Sequence, residues 1–155
     1  MKNDTTSKHN EINQRLDENR SCCKHIADEL EAHISGNVRR CPDCGETLSR
    51  SWDDVGDKFR CPSCGAVADF DSWDQLTIWD YLSDCLDVEF RVSGKHDDEP
   101  RSVRVMVACG GPNIYIDSAS AAVKLYWWTE RAEWPISYDA RDALNEWAAE
   151  YWGCL

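Results

Sequence analysis

The sequence predicts an α+β protein: an N-terminal helix, a four-cysteine module, and then a helix–four-stranded antiparallel meander–helix domain, within 155 residues. Two observations predict this class. Apolar residues recur at helical spacing before and after a central region in which they alternate with polar residues, the period of a half-buried strand. Helices grouped at the ends of a run of strands are typical of α+β folds. We divide the chain into a polar N-terminal segment, a metal module and an acidic α+β domain, residues 1–37, 38–70 and 71–155.

The N-terminal segment predicts one short helix. Its first residues are polar, whereas Ile26, Leu30 and Ile34 recur at i, i+4 and i+8 and predict a helix over residues 20–34. Gly36 is expected to end this helix, because glycine readily adopts the conformation that follows a helix. The apolar stripe is narrow, so the helix needs a surface on which to dock.

Four cysteines form the strongest motif of the chain. They lie in two copies of the pattern C-P-x-C-G, Cys41–Gly45 and Cys61–Gly65, and 16 residues separate Cys44 from Cys61. Two thiolates spaced C-x2-C can chelate one ion from a tight turn, and the glycine accepts the unusual backbone angles of that turn. Two such turns complete a tetrahedral shell with no open position, so the predicted ion is structural and not catalytic. The segment 48–58 between the turns is expected to form a β-hairpin.

The duplicated C-P-x-C-G pattern resembles that of the zinc-ribbon family. The resemblance covers residues 38–70 and implies a hairpin module held by one Zn²⁺ ion, with Cys41, Cys44, Cys61 and Cys64 as ligands. It implies no particular activity, because ribbons serve in nucleic-acid binding, protein docking and plain stabilisation. Iron is the second candidate, since four-thiolate sites accept either metal.

The acidic domain is predicted to open with a helix from an N-cap at Ser72 to about Leu86. Its buried face would consist of Leu76, Ile78, Trp79, Leu82 and Leu86. Alternation then predicts four strands, which we place at 88–92, 103–109, 114–116 and 123–128, with a loop at 94–100 and turns at 110–113 and 118–121.

A final helix is predicted after Pro135 interrupts the chain, with Ser137 as its N-cap. Its apolar face would consist of Ala140, Ala143, Leu144, Trp147 and Tyr151. We expect the helices to cover the sheet face that carries the aliphatic side chains. The other face carries Met106, Tyr115, Tyr126 and Trp128, and either the N-terminal helix, the ribbon or a partner protein is expected to cover it.

The charge of the chain restricts its partners. It holds 29 acidic and 17 basic residues, a net charge of −12. Such a surface repels duplex DNA and anionic membranes, because affinity for phosphates comes from Lys and Arg. The ribbon is no exception, with five basic and six acidic residues over 38–70, so direct nucleic-acid binding is not expected. No apolar run reaches the roughly 20 residues of a membrane span, no signal peptide is evident, and a cytoplasmic protein is expected.

The acidic residues suggest a binding surface. Residues 71–155 hold 16 acidic and seven basic side chains, a balance of −9. Carboxylates recur at helical spacing on both predicted helices of this domain, at Asp80, Asp84, Asp139, Asp142, Glu146 and Glu150. Neighbouring carboxylates in such a row repel one another and therefore destabilise the helix slightly, but the row could dock on a basic protein surface. In size and charge the chain is similar to small acidic inhibitors from phages and mobile elements, of the anti-restriction or anti-CRISPR type, which occupy nucleic-acid-binding grooves as DNA mimics.

Catalytic candidates are few. Cys109 precedes a glycine-rich turn, but a reactive thiol needs a neighbouring histidine or helix N-terminus, and all four histidines are distant in sequence. We expect Cys109 to pack inward at a strand end and the protein to be no enzyme. Two alternatives stay open: a regulator whose ribbon binds nucleic acid, and an enzyme that uses Cys109.

Overall fold

The computed structural model describes residues 3–50, 58–94 and 99–155 and confirms the α+β class. The first element, helix α1, spans Asn3–Ile34 and is therefore much longer than the helix predicted over residues 20–34. At 1.5 Å per residue it is about 48 Å long. Among its described side chains, those of Cys23, Ala27 and Leu30, at i, i+4 and i+7, are buried. None of the described helices is both long and apolar enough to cross a membrane.

The described residues of the cysteine-rich region form two separate hairpins of short strands. Strands β1 (Val38–Arg40) and β2 (Thr47–Ser49) pair antiparallel, and β3 (Lys58–Arg60) pairs with β4 (Val67–Asp69) in the same way. A two-residue strand β5 (Asp74–Gln75) adds to the free edge of β1. Most of the hairpin expected over residues 48–58, residues 51–57, lies outside the described part of the chain. Its described ends, in β2 and β3, belong to different sheets and do not pair with each other.

The predicted helix from Ser72 to Leu86 is also wrong in its bounds. Ser72 closes a single 3-10 turn, and the helix proper, α2, spans only Ile78–Leu82. Thr77 is its N-cap and forms a capping box with Asp80. Strand β5 occupies the preceding residues, which pair with β1 and so cannot be helical. Of the predicted buried face, Leu76 and Leu82 are buried, whereas Trp79 and Leu86 are exposed.

In its described residues, the C-terminal domain is built on five antiparallel strands, not four. Their order is sequential, β6-β7-β8-β9-β10, as in a meander. The strands are β6 (Asp87–Arg91), β7 (Ser102–Ala108), β8 (Asn113–Asp117), β9 (Ala122–Trp127) and β10 (Glu130–Pro135). The missed strand β10 lies at the sheet edge, where a terminal proline is tolerated. Of the predicted loop 94–100, residues 95–98 lie outside the described residues.

One layer of helices covers one face of this sheet. The final helix, α3, spans Tyr138–Gly153, and the predicted cap is confirmed because Ser137 Oγ accepts a bond from the Ala140 amide. The core joins α1, α2 and α3 to the aliphatic sheet face through Leu30, Leu82, Val105, Ile116, Val123, Leu125 and Leu144, among others. Glu31 of α1 accepts bonds from the Ser137 amide and hydroxyl, which ties α1 to the start of α3.

The opposite, outer face of the sheet is not covered by the N-terminal helix. Met106, Tyr115 and Tyr126 are only half-buried there, whereas the aliphatic residues of the other face are fully buried. Helix α1 packs on the aliphatic face instead, and the ribbon has a separate small core around Leu48 and Trp73. Of the three covers predicted for the outer face, α1 is therefore wrong.

Candidate metal centre

The first cysteine turn is built by the β1–β2 hairpin. Cys41 follows β1 directly, and its amide donates to the Glu46 carbonyl at 2.8 Å, while the Gly45 amide donates to the Cys41 carbonyl at 2.9 Å. The chain can fold back so tightly because Gly45 has φ +76°, a left-handed angle that costs glycine little. This turn brings Cys44 back beside Cys41.

The second turn repeats the first almost bond for bond. The Cys61 amide donates to the Ala66 carbonyl at 2.8 Å, the Gly65 amide donates to the Cys61 carbonyl at 2.8 Å, and Gly65 has φ +79°. The sequence repeat is thus a structural repeat, in which each hairpin presents two sulfurs on one side of its turn.

The four sulfurs meet at one point. The side chains of Cys41, Cys44, Cys61 and Cys64 place their Sγ atoms within 4.8 Å of one another. Two cross-hairpin distances are 3.7 Å, from Cys41 to Cys64, and 3.6 Å, from Cys44 to Cys61. Tetrahedral zinc with Zn–S bonds of about 2.3 Å has sulfurs about 3.8 Å apart, whereas a disulfide brings two sulfurs to about 2.05 Å. The cluster therefore has the dimensions of a four-thiolate metal site and could hold one ion.

The cluster has a buried side and an exposed side. Cys41 and Cys61 are buried against Leu48, Trp73 and Phe59, while Cys44 and Cys64 face solvent. The first cysteine of each turn thus belongs to the ribbon core. Because four cysteines fill a tetrahedral shell, no coordination position is left for a substrate, which is the arrangement of a structural site.

The thiols perturb one another. The pKa of Cys61 is lowered to about 7: desolvation opposes ionisation, but the amides of Cys64 and Ser63 and the neighbouring thiols stabilise its thiolate. The Glu46 amide favours the Cys44 thiolate, yet desolvation and the surrounding thiols outweigh it and raise the pKa of Cys44 to about 12. Because a metal binds the thiolate form, a divalent ion would have to displace the proton that the raised pKa of Cys44 favours.

Two ribbon arginines are engaged within the module. The buried Arg39 donates to the carbonyls of Val38 and Gly36 and lies 3.5 Å from an Asp71 carboxylate oxygen. Its guanidinium carbon is 5.1 Å from the Phe70 ring centre, and that of Arg50 is 5.7 Å from the same ring. These cations stabilise the module internally, which reduces their availability to phosphates.

The acidic residues singled out in the sequence are all exposed, but they do not form two helical rows. Asp80 lies on α2 and accepts bonds from the Thr77 amide and hydroxyl at 2.8 and 2.9 Å, and the Thr77 amide is the largest cause of its lowered pKa. Asp84 lies beyond the end of α2, beside an opening lined by Glu29 and Cys85. The row on α3 is present, formed by Asp139, Asp142, Glu146 and Glu150.

The α3 row differs in how its members are engaged. Glu150 accepts a bond from Trp79 Nε1 at 3.1 Å, and Asp142 accepts two from its neighbour Arg141. Asp139 lies in the first turn of the helix, where a negative charge is favoured by the helix dipole. All four carboxylates nevertheless remain on the solvent side of a helix whose other side is core.

Cys109 does not pack inward as expected. It is exposed after the end of β7. Two histidines are engaged elsewhere: His25 lies 3.2 Å from Glu29, and His33 contacts the Glu29 carbonyl and the Tyr81 ring. His96 lies outside the described residues.

Arginines on the outer sheet face were not singled out in the sequence. Arg104 lies 3.8 Å from the Tyr115 ring centre and Arg131 lies 5.7 Å from that of Tyr126. The strand alternation does place Arg104 on the same face as Met106, so this contact had a signal in the sequence. Arg131 had none, because its strand was missed.

No protein-family model matches the chain, and searches of curated proteins and of solved structures find no match either.

Proposed function

We propose that the chain is a non-enzymatic protein-interaction module in which Cys41, Cys44, Cys61 and Cys64 hold one structural zinc ion. The sulfur separations of 3.6 and 3.7 Å support this proposal, because they agree with a zinc tetrahedron to about 0.2 Å. Zinc is the usual occupant of an all-cysteine structural site, and iron is the second choice. The ion would replace the larger core that such a short module lacks.

Metal analysis of the purified full chain tests this part. One equivalent of zinc per chain is expected, and the Cys41→Ser variant should lose it. Cys109→Ser is the matched control, since Cys109 is exposed and remote from the cluster in sequence; it should keep a full equivalent. A folded protein without stoichiometric zinc or iron, or equal metal loss in both variants, contradicts the site.

The partner we propose is a protein with a basic surface, bound by the acidic face of α3. The observation that carries this is the row Asp139, Asp142, Glu146 and Glu150, exposed on a rigid 16-residue helix whose one basic residue is Arg141. A nucleic-acid-handling enzyme is the fitting class, because its Arg/Lys groove is shaped for a row of negative charges. Binding there would inhibit the enzyme by excluding its nucleic acid. Asp80 contributes less, since its carboxylate is occupied by Thr77.

Charge reversal tests the partner. We would replace Asp139, Asp142 and Glu146 with lysine, sparing Glu150 because it bonds Trp79. The control reverses three exposed acids outside α3 and outside the cysteine turns: Asp17, Asp74 and Glu99. Proteins that the wild-type chain captures from the source cells are identified, and the affinity of the chain for them is measured at several salt concentrations.

The α3 reversal should weaken binding by about tenfold or more, mainly through slower association, and salt should weaken it similarly. The control reversal should change binding much less, and nucleic acid should compete for the partner. Binding that is insensitive to salt and equal in both variants would contradict the docking proposal without touching the metal site.

A further inference from the structure

A row of two tyrosines flanked by two arginines crosses the outer sheet face. Arg131 on β10 lies 5.7 Å from the ring centre of Tyr126 on β9, and the Tyr126 and Tyr115 rings meet edge to face at 5.9 Å. Arg104 on β7 completes the row, 3.8 Å from the Tyr115 ring centre and 5.8 Å from that of Tyr126. Strands lie about 4.8 Å apart, so this row over four strands is about 14 Å long.

An open pocket lies at the β10 end of the row. Its volume is about 370 Å³, and its walls carry Arg20, Lys124, Tyr126, Arg131 and Glu133. Helix α1 supplies Arg20 to this pocket, while the other four side chains come from β9 and β10. Three cations and one carboxylate thus surround an aromatic ring, on a chain in which acidic residues outnumber basic ones by 12.

The cations of this face differ in availability. Glu89 lies 3.7 Å from Arg104, and Asp117 lies 3.1 Å from Lys124, so these two charges are partly neutralised. Arg20 and Arg131, both exposed, form no ion pair within the described residues. The pocket therefore offers two guanidinium groups without an ion pair among the described residues, and one of them, that of Arg131, lies over the ring of the half-buried Tyr126.

The acidic face of α3 does not cancel this local charge. It lies on the other side of the sheet, and packed layers are about 10 Å apart. The screening length at physiological ionic strength is about 8 Å. An anion at the outer face is therefore influenced mainly by the side chains of that face.

We propose that this outer face binds single-stranded nucleic acid. Backbone phosphates would lie against Arg20 and Arg131, and bases would stack on Tyr126 and on the guanidinium planes along the row. Sheets that bind single strands use exposed aromatics to stack two or three bases, and a 14 Å row has room for such a number. A duplex is disfavoured, because its bases are already stacked and unavailable to the rings. The site is independent of the α3 proposal and lies on the opposite side of the sheet.

Fluorescence anisotropy with the zinc-loaded full chain tests the proposal. The probes are labelled oligouridine and oligothymidine of about twelve nucleotides, within the range that one binding fold covers, and a duplex of equal length, in about 50 mM salt. Both single strands, or one of them, should bind better than the duplex. Arg131→Ala should lower affinity about fivefold and reduce the slope of log affinity against log salt by about 0.7, the value for one phosphate contact on a single strand.

Matched variants separate the site from general charge. Arg141→Ala removes the same charge from another arginine that lies over a tyrosine, Tyr138 at 5.0 Å, but on α3; it should leave affinity within twofold. Tyr126→Leu keeps an apolar side chain and should lower affinity about fivefold, the effect of losing one stacked base. Melting curves check that each variant is folded.

Several results would overturn the proposal. One is the absence of single-strand binding at about 50 mM salt, where electrostatic affinity is strong. Another is equal loss of affinity in Arg131→Ala and Arg141→Ala. A third is inorganic polyphosphate competing as well as an oligonucleotide of equal charge, since stacking would then contribute nothing.

Discussion

Trp128 has a backbone conformation that is unfavourable for tryptophan. It is 95% exposed, at the first position of the two-residue loop that joins β9 to β10, and its φ is +52°. Two-residue hairpin loops require positive φ at such positions, and glycine or asparagine normally provides it. Replacing Trp128 with glycine should therefore make the fold more stable, although it deletes the largest side chain that a residue can carry.

The expected gain follows from three contributions. Replacing an L-residue in the left-handed conformation by glycine removes about 1–2 kcal/mol of backbone strain from the folded state. The greater conformational freedom of glycine in the unfolded chain lowers the stability by about 0.4–1 kcal/mol. A Trp side chain buries up to about 250 Å² when enclosed; since Trp128 is only 5% buried, the lost contact is about 12 Å², or roughly 0.3 kcal/mol. The balance is a gain of about 0.5 kcal/mol, which would raise the melting temperature by about 1–2 °C.

Urea denaturation of the purified full chain measures this change most directly, through a shift of the midpoint at an unchanged slope of unfolding free energy against urea. Trp128→Ala is the control, because it also removes the indole but keeps a β-carbon at the strained position. The glycine variant should exceed the alanine variant by about 0.5–1 kcal/mol, the difference between backbone strain and unfolded-state entropy. A glycine variant less stable than the alanine variant would show that the loop is unstrained.

Three further changes test the core, a buried ion pair and a helix cap. Leu144→Ala should cost about 2–5 kcal/mol in urea denaturation, because Leu144 is fully buried between α3 and the sheet. Asp117 is buried and desolvated, yet its bonds with Lys124 and with loop amides lower its pKa. Its carboxylate therefore stabilises the fold at every pH above the ordinary pKa of aspartate, and this stabilisation is lost as the pH falls through the lowered pKa of the folded state. Melting curves against pH should therefore show Asp117→Asn about 2 kcal/mol less stable at neutral pH and converging with wild type in acid. Ser137→Ala should cost about 1 kcal/mol through loss of the α3 cap, a deficit that Ser137→Thr should largely restore.

The parts of the fold that the sequence could predict are those with a strong local signal. Each C-P-x-C-G turn needs a glycine at positive φ, and Gly45 and Gly65 provide it. Alternation located strands β6 to β9 because their inward side chains are continuously apolar. Ser137 was identifiable as a cap because a polar residue there precedes an amphipathic run.

The errors arose where tertiary contacts decide the structure. The residues before α2 have a helix-like apolar spacing, but Asp74 and Gln75 pair with β1, a contact about 35 residues away in sequence. Strand β10 was missed because it carries alternating charges and a proline, which an edge strand accepts and a central strand does not. The repeated motif made it predictable that the two cysteine turns meet in one cluster. It did not predict that β3 pairs with β4 and not with β2, because the residues between β2 and β3 show no periodic pattern of apolar side chains.

The cysteine-rich region, residues 38–70, is joined to the α+β domain at both of its ends, so loss of an ion bound to its cysteines should affect both. The Leu76 amide donates to the Val38 carbonyl at 3.0 Å, and a β-carbon at Gly36 would lie 2.7 Å from Gln75 Nε2, so the chain segments entering and leaving the ribbon are in direct contact. Binding free energy of about 10 kcal/mol or more makes a four-thiolate module fold with its metal. Unfolding the ribbon would therefore release β5 from β1 and free the end of α1 and the start of α2. Hydrogen exchange after chelation should show lost protection over 30–50 and 58–82, while β7 to β9 remain protected by their own core. An unchanged pattern of exchange protection after chelation would mean that the hairpins are stable without an ion. The proposed structural role of the cysteine cluster would then be refuted.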